Sequence, residues 1–207
     1  MARPPKVRSR IVTSSSFQTD DWLDAVVATP GLTALRDRES AREMLLDDAL
    51  RALPIVEQYD GPLIDIGSGG GSPGIPLAAA LPEREVTLLD AERRKCDFLS
   101  HWAPPNARVV WGRAEEQPVE AWDVATAKAL AQPLVAAEWC LPLVAIGGAA
   151  ILWLGESADL DKLARVSVQL GARVPEVYGG LAVLLKVLPT PPGFPRRVGV
   201  AKKRPLA

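Results

Sequence analysis

From about residue 60 onward, short continuous runs of apolar side chains alternate with stretches in which apolar residues recur every three or four positions. Strands are predicted over 62–66, 85–89, 107–111, 122–126, 148–154, 173–177 and 181–188, most of them short apolar runs bounded by Gly, Pro, Asn or Asp. Helices are predicted near 73–81, 91–101, 131–141 and 157–170. This alternation implies a mostly parallel sheet covered on both faces. Only Tyr178-Gly179-Gly180 separates the last two strands, too short for a parallel crossover, so strand seven must run antiparallel. Ahead of the sheet, Asp20 to Ala28 and Ser40 to Leu53 read as helices. In the second, Ala41, Met44, Leu45 and Ala49 form an apolar stripe. The expected architecture is therefore α/β: a doubly wound, seven-stranded, mostly parallel sheet with an antiparallel last strand and a short N-terminal helical extension. No internal repeat interrupts it.

At 207 residues and 48% hydrophobic content, the chain can bury one substantial core. No apolar run is long enough for a membrane helix, and no apolar segment follows the basic residues of the N-terminus as in a secretory signal. Cys96 and Cys140 fall in predicted helices, cannot build a zinc site, and are expected to be reduced core thiols of a cytoplasmic protein. The one histidine, His101, ends a predicted helix and is expected to be structural, and Trp102, Trp111, Trp122, Trp139 and Trp153 are assigned to the core.

Charge divides the chain further. Residues 1–19 carry +4 and residues 177–207 carry +6, both without an acid, so the segment between carries −11 although the net charge is −1. Basic ends on an acidic body suit a phosphate-bearing partner gripped by the termini. Three parts are expected: a basic, disordered arm over 1–19, a domain over 20–188, and a basic proline-rich tail over 189–207. Pro189, Pro191, Pro192 and Pro195 should stiffen the tail and hold its charges out from the body, away from the glycine turn.

The chemistry concentrates at Leu63 to Ala78, where a strand runs into Gly67-Ser68-Gly69-Gly70-Gly71-Ser72-Pro73-Gly74 and straight on into a helix. Such a turn brings a ligand against bare backbone, beside the unpaired N–H groups of the helix start. The next strand closes on Asp90, the arrangement with which a doubly wound sheet grips an adenosine-type cofactor. Gly69, Gly71 and Gly74 satisfy G-x-G-x-x-G, so NAD is one candidate. Yet Pro73 has no N–H to offer a pyrophosphate, and Asp65 would repel one while it could meet an ammonium. These residues favour S-adenosylmethionine, as does the antiparallel last strand. Gly67, Gly69 and Gly71, with Ser72 beside them, should carry the methionine end, and Asp90, followed by Ala91, should accept the ribose diol.

The run Asp65-Ile66-Gly67 through Pro73-Gly74-Ile75-Pro76-Leu77-Ala78 resembles the bacterial small-subunit rRNA guanine-N7 methyltransferases, also known as glucose-inhibited division protein B. The likeness extends to Thr87-Leu88-Leu89-Asp90 with Arg94-Lys95 and Phe98-Leu99, to Arg113-Ala114-Glu115-Glu116, to Gly31 through Asp37, to Leu45-Leu46-Asp47, and to the tail ending Lys202-Lys203-Arg204-Pro205-Leu206. The resemblance implies a class I methyltransferase fold, methyl transfer from S-adenosylmethionine to guanine N7 in 16S rRNA or the small subunit, and Ala114 and Glu115 along the adenine. A monomer acting without metal or membrane is expected. Arg196, Arg197, Lys202 and Lys203 are expected on RNA phosphates.

Four positions depart from the pattern. Gly31 stands for an asparagine, Met44 for a histidine, Lys128 for an arginine and Leu154 for a lysine. Lys128, the candidate positioning residue, is expected on the cofactor carboxylate or an RNA phosphate, without the planar fork of arginine. Guanine N7 carries an exposed lone pair and attacks without losing a proton, so alignment and exclusion of water suffice. After strand four, Thr126-Ala127-Lys128-Ala129 lacks the Asn/Asp-Pro-Pro-aromatic run of an adenine-N6 enzyme. An RNA-binding protein with a decayed site, or a dinucleotide oxidoreductase, are the rival readings.

Overall fold

The computed structural model describes residues 19–206. The arm expected over 1–19 therefore lies outside the described residues, except that Thr19 already begins the first helix. In chain order come α1 (Thr19–Ala28), α2 (Arg38–Ala41), a π-helical turn (Arg42–Asp47), α3 (Asp48–Leu50), α4 (Leu53–Val56), β1 (Leu63–Ile66), α5 (Gly74–Ala80), β2 (Val86–Asp90) and α6 (Arg93–Trp102). Then follow β3 (Ala107–Trp111), β4 (Trp122–Ala127), α7 (Pro133–Cys140), β5 (Val144–Trp153), α8 (Leu160–Gln169), β6 (Glu176–Tyr178), β7 (Leu181–Leu185) and α9 (Val200–Lys203).

The seven strands form one sheet in the order β3-β2-β1-β4-β5-β7-β6. Pairing is parallel from β3 through β5, whereas β7 runs antiparallel to both β5 and β6, as the short Gly179-Gly180 connection requires. Because side chains alternate faces along a strand, neighbouring residues feed two cores. Ile64, Ala125, Ala150 and Leu152 pack with Ala136, Ala137 and Leu163 of α7 and α8. Leu63, Leu88, Val124 and Ile151 pack on the other face with Trp22, Leu23, Ile75 and Leu99 of α1, α5 and α6. The strand order reverses between β1 and β4, and there the loops leave a crevice at the strands' C-terminal ends.

The helix expected as one piece from Ser40 to Leu53 is broken by the π-helical turn. The wider turn shifts the stripe out of phase: Ala41 and Ala49 are fully buried, but Met44 is 51% exposed. Trp111 is a second correction. Trp122 is buried and Trp102, Trp139 and Trp153 half-buried, whereas Trp111 at the end of the edge strand is 59% exposed. Strand β5 begins four residues earlier than predicted, with an irregularity in its pairing where Gly147 takes φ 91°.

The tail does not stand away from the body. Phe194 and Leu206 pack against the α7/α8 core, and Arg196 makes a two-pronged ion pair with Glu138 of α7, whose side chain is 2% exposed. Upstream, fully buried Lys186 donates from Nζ to the Leu141 carbonyl at 2.7 Å and to Thr190 Oγ1 at 2.8 Å, fastening the exit of β7. A buried carboxylate needs its partner, and that need folds the proline-rich segment back onto the helix layer. Arg196→Ala should therefore lower the unfolding free energy by about 2–3 kcal/mol in urea titrations, and Glu138→Gln in the same chain should recover most of the loss.

Candidate active site

At the topological switch point lies a cavity of about 530 Å³, within the range of cofactor sites. Its floor is the backbone of Gly67 to Gly70 after β1, and one wall is Asp90, Ala91 and Glu92 after β2. The far wall is Gly112 to Glu115 after β3, and Lys128, Ala129 and Leu130 after β4 close the remaining side.

Asp90 is 6% exposed and held from two directions: Gly69 N–H donates to Oδ2 and Glu92 N–H to Oδ1, both at 2.9 Å. Each oxygen keeps a further lone pair, so the carboxylate stands rigidly on the cavity wall with acceptor capacity to spare. Gly69 takes φ 55°, a left-handed turn that aims its N–H at Asp90. Ala129 takes φ 51° without being glycine and turns Leu130 under Gly67, where a Cβ would stand 2.2 Å from Leu130 Cδ1.

Asp65 corrects the sequence reading. Its carboxylate does not line the cavity; it is 1% exposed beneath the turn, accepting from Thr126 Oγ1 at 2.9 Å and Gly74 N–H at 3.1 Å. It cannot meet an ammonium, because β4 and α5 already enclose it. The start of α5 is likewise closed to ligands, since Gly74 N–H goes to Asp65 and Ile75 N–H to the Gly71 carbonyl. Gly71 shapes the turn from outside the lining. A Cβ on Gly74 would stand 2.7 Å from Asp65 Oδ2, so glycine there is a packing requirement.

Lys128 lies on the wall but its ammonium is already engaged. Nζ sits 2.7 Å from Asp48 Oδ2, donates to the Met44 carbonyl, and reaches Ser72 Oγ at 3.5 Å. Ser72 in turn donates to the Leu45 carbonyl at 2.7 Å. Both carbonyls belong to the π-helical turn. Lys128 thus clamps the N-terminal helices to the glycine turn, in place of the free cation expected. Met44 and Lys128, two of the four departures, meet here. Gly31 lies against Arg94, and Leu154 packs on the core and donates its N–H to the Gly180 carbonyl at 2.8 Å.

Of the tail cations, Lys202 lines the cavity, while Arg196 is turned inward to Glu138 and Arg197 and Lys203 are exposed beyond the lining. Gly199 N–H donates to Glu115 Oε1 at 3.0 Å, which binds the tail to the loop after β3. The sequence reading missed Glu92, Lys95, Arg113, Leu130 and Trp139 as cavity residues. All but Trp139 follow a strand's C-terminal end closely, which is the signal that could have found them. Trp139 comes from the last turn of α7, and no local motif marks it.

The glycine turn and the carboxylate-closed second strand sit in a seven-stranded sheet whose β7 is antiparallel, which defines a class I S-adenosylmethionine-dependent methyltransferase. Solved structures agree on the fold: a TehB-like SAM-dependent methyltransferase from Corynebacterium glutamicum superposes with a TM-score of 0.52, at 18% identity, over 67% of this chain and 86% of that one. A T. thermophilus 16S rRNA N2 G1207 methyltransferase, solved with AdoMet and guanosine, gives 0.50 at 19% identity over 71% of this chain and 40% of that one. Residues 21–169 match the model of the GidB family, rRNA small subunit methyltransferase G, and this chain belongs to that family. Relatives named ribosomal RNA small subunit methyltransferase G include one from a Synechococcus sp., 38% identical over 205 residues, 86% of this chain and 79% of that protein. Another, from Thermotoga neapolitana, is 36% identical and covers 95% of this chain and 94% of that protein.

Among the described residues, no helix is long and apolar enough to cross a membrane, and no group of three His, Cys, Asp or Glu is arranged to hold a metal ion.

Burial pushes the Asp65 carboxyl up to about 6, and the charge of Asp90 adds to this; hydrogen bonds from Ser68, Thr126 and Gly74 oppose it. The folded state then holds a proton between about pH 4 and 6 that the unfolded chain has lost. Asp65's contribution is therefore fully present below about pH 4 and declines as pH rises through about 6, by about 2–3 kcal/mol. Urea midpoints measured across that window should show the decline in the wild type. Asp65→Asn should remove it, since its amide can accept from Gly74 and donate to Thr126.

Proposed function

We propose that this chain transfers the methyl group of S-adenosylmethionine to N7 of a guanine in 16S rRNA, acting as a cytoplasmic monomer. The observation that carries the reading is Asp90, fixed by two backbone N–H groups on the wall of a cavity floored by bare glycine backbone.

The residues present fit the donor. Asp90 has lone pairs for the ribose diol, Ala114 and Gly112 offer a small apolar slot for adenine, and Gly67 to Gly70 leave room for the methionine end. The donor supplies an electrophilic methyl on a positively charged sulfur. Asp90, Glu92 and Glu115 place carboxylates around the cavity that receives it. Lys128 acts as a positioning residue: by clamping the π-helical turn over Ser72, it fixes the wall against which the base is aligned.

N7 is favoured because the attack needs no general base. The one histidine, His101, stands outside the cavity with its ring edge-on to Trp102 at 5.2 Å. Cys96 and Cys140 are buried away from it, and burial raises both thiols above their ordinary range. The protein's work is then to hold the lone pair, methyl and sulfur in line and keep water out. Neither a metal nor a second subunit has a step to perform.

Radiolabelled methyl transfer to unmethylated small subunits, with mapping of the product base, tests this directly. Label on guanine N7 is expected; label on another atom, or none, would overturn the assignment. Asp90→Ala should weaken S-adenosylmethionine binding by about 1.5–3 kcal/mol in calorimetry, through loss of charge-assisted hydrogen bonds and of the anchor for Gly69 N–H. Unchanged affinity in a folded variant would place the ribose elsewhere.

A further inference from the structure

Among the six tryptophans, only Trp111 is mostly exposed, at the end of the edge strand β3. Leaving so large an aromatic in water forgoes substantial burial, yet this one is held rigidly. Its Nε1–H donates to the Ala91 carbonyl at 3.1 Å, and the Arg93 guanidinium lies 4.9 Å over the ring. Ala91 lines the cavity, as do Gly112 and Arg113, which directly follow Trp111. The indole is therefore fixed beside the cavity mouth by the same loops that form its walls.

Exposed arginines stand near the ring. Arg93, Arg94 and Arg113 are exposed, while Glu92 is paired with Lys95 at 2.8 Å and the contact of Arg93 with Asp97 is long, at 3.7 Å. An aromatic ring with a guanidinium over one face, and further arginines nearby for phosphate, is the kind of surface on which a splayed-out RNA base stacks. Resting on the functional reading above, the geometry points to Trp111 and Arg93 as a stacking platform for an unpaired rRNA nucleotide next to the target guanine. Neither residue reaches the transferred methyl. They hold the strand while the neighbouring base enters the cavity.

Trp111→Ala and Trp111→Phe in the full chain separate stacking from the hydrogen bond to Ala91, since phenylalanine keeps an aromatic face and loses the N–H. Fluorescence anisotropy with a single-stranded RNA spanning the modified guanine reads the platform without requiring methyl transfer, and calorimetry with S-adenosylmethionine reads the cavity. Alanine should weaken RNA binding roughly 10-fold or more, in line with one lost base stack. Phenylalanine should keep affinity within about threefold of wild type, and Arg93→Ala should fall between the two variants. Donor affinity should stay unchanged in all three. RNA affinity of Trp111→Ala within twofold of wild type would overturn the platform. So would equal losses in the alanine and phenylalanine variants, which would assign the residue to holding the Ala91 loop. If wild type binds the RNA with this pattern but transfers no methyl group, the functional reading falls and the platform stands.

Discussion

Everything at the site hangs on a buried carboxylate that stands outside the cavity lining. Asp65 sits under the glycine turn and joins three elements: it is part of β1, it accepts from Thr126 on β4, and it accepts from Gly74 at the start of α5. A carboxylate taken out of water must have its lone pairs filled, so these bonds fix how the chain leaves the sheet and enters the helix. Gly74 follows from the same constraint, since a side chain there would collide with the acid and with Leu88. The backbone that floors the cavity is thereby aimed before any donor arrives. Asp90 then extends the arrangement outward, using Gly69 N–H from that backbone to position the one carboxylate of the pair that does face the cavity.

Around this centre the outlying parts of the chain are fastened by charge. Lys128 carries the N-terminal helices through Asp48 and the π-helical turn. Arg196 carries the tail through Glu138, and Gly199 secures it again at Glu115. The cavity is thus assembled from both ends of the described chain as well as from the sheet, with Val26 and Leu32 on one side and Lys202 on another. Cations that look free in the sequence are divided between internal structure and an outward face. Arg196 and Lys128 serve the fold, while Arg93, Arg94, Arg113 and Lys202 remain toward solvent near the cavity.

The division of the sequence into elements was legible because it rests on local physics. Apolar runs of strand length, helical spacing and a two-glycine connection between β6 and β7 each constrain the backbone within a few residues, and they were sufficient for a seven-strand doubly wound sheet with β7 reversed. The glycine turn and the acidic end of β2 were legible for the same reason: glycine placement and strand-end position are local marks of a ligand site in this architecture. Tertiary structure decided what each polar group faces. Whether Asp65 looks into the cavity or beneath it depends on the face of β1 that α5 and Thr126 cover, and whether Arg196 meets phosphate or Glu138 depends on a contact across 58 residues. The exposure of Trp111 follows from β3 being an edge strand, a property of strand order that no window of sequence contains. Periodicity determines which residues form an element and which side they share; the direction of a charge or an aromatic ring is set by partners distant in the chain, where burial and pairing are decided together.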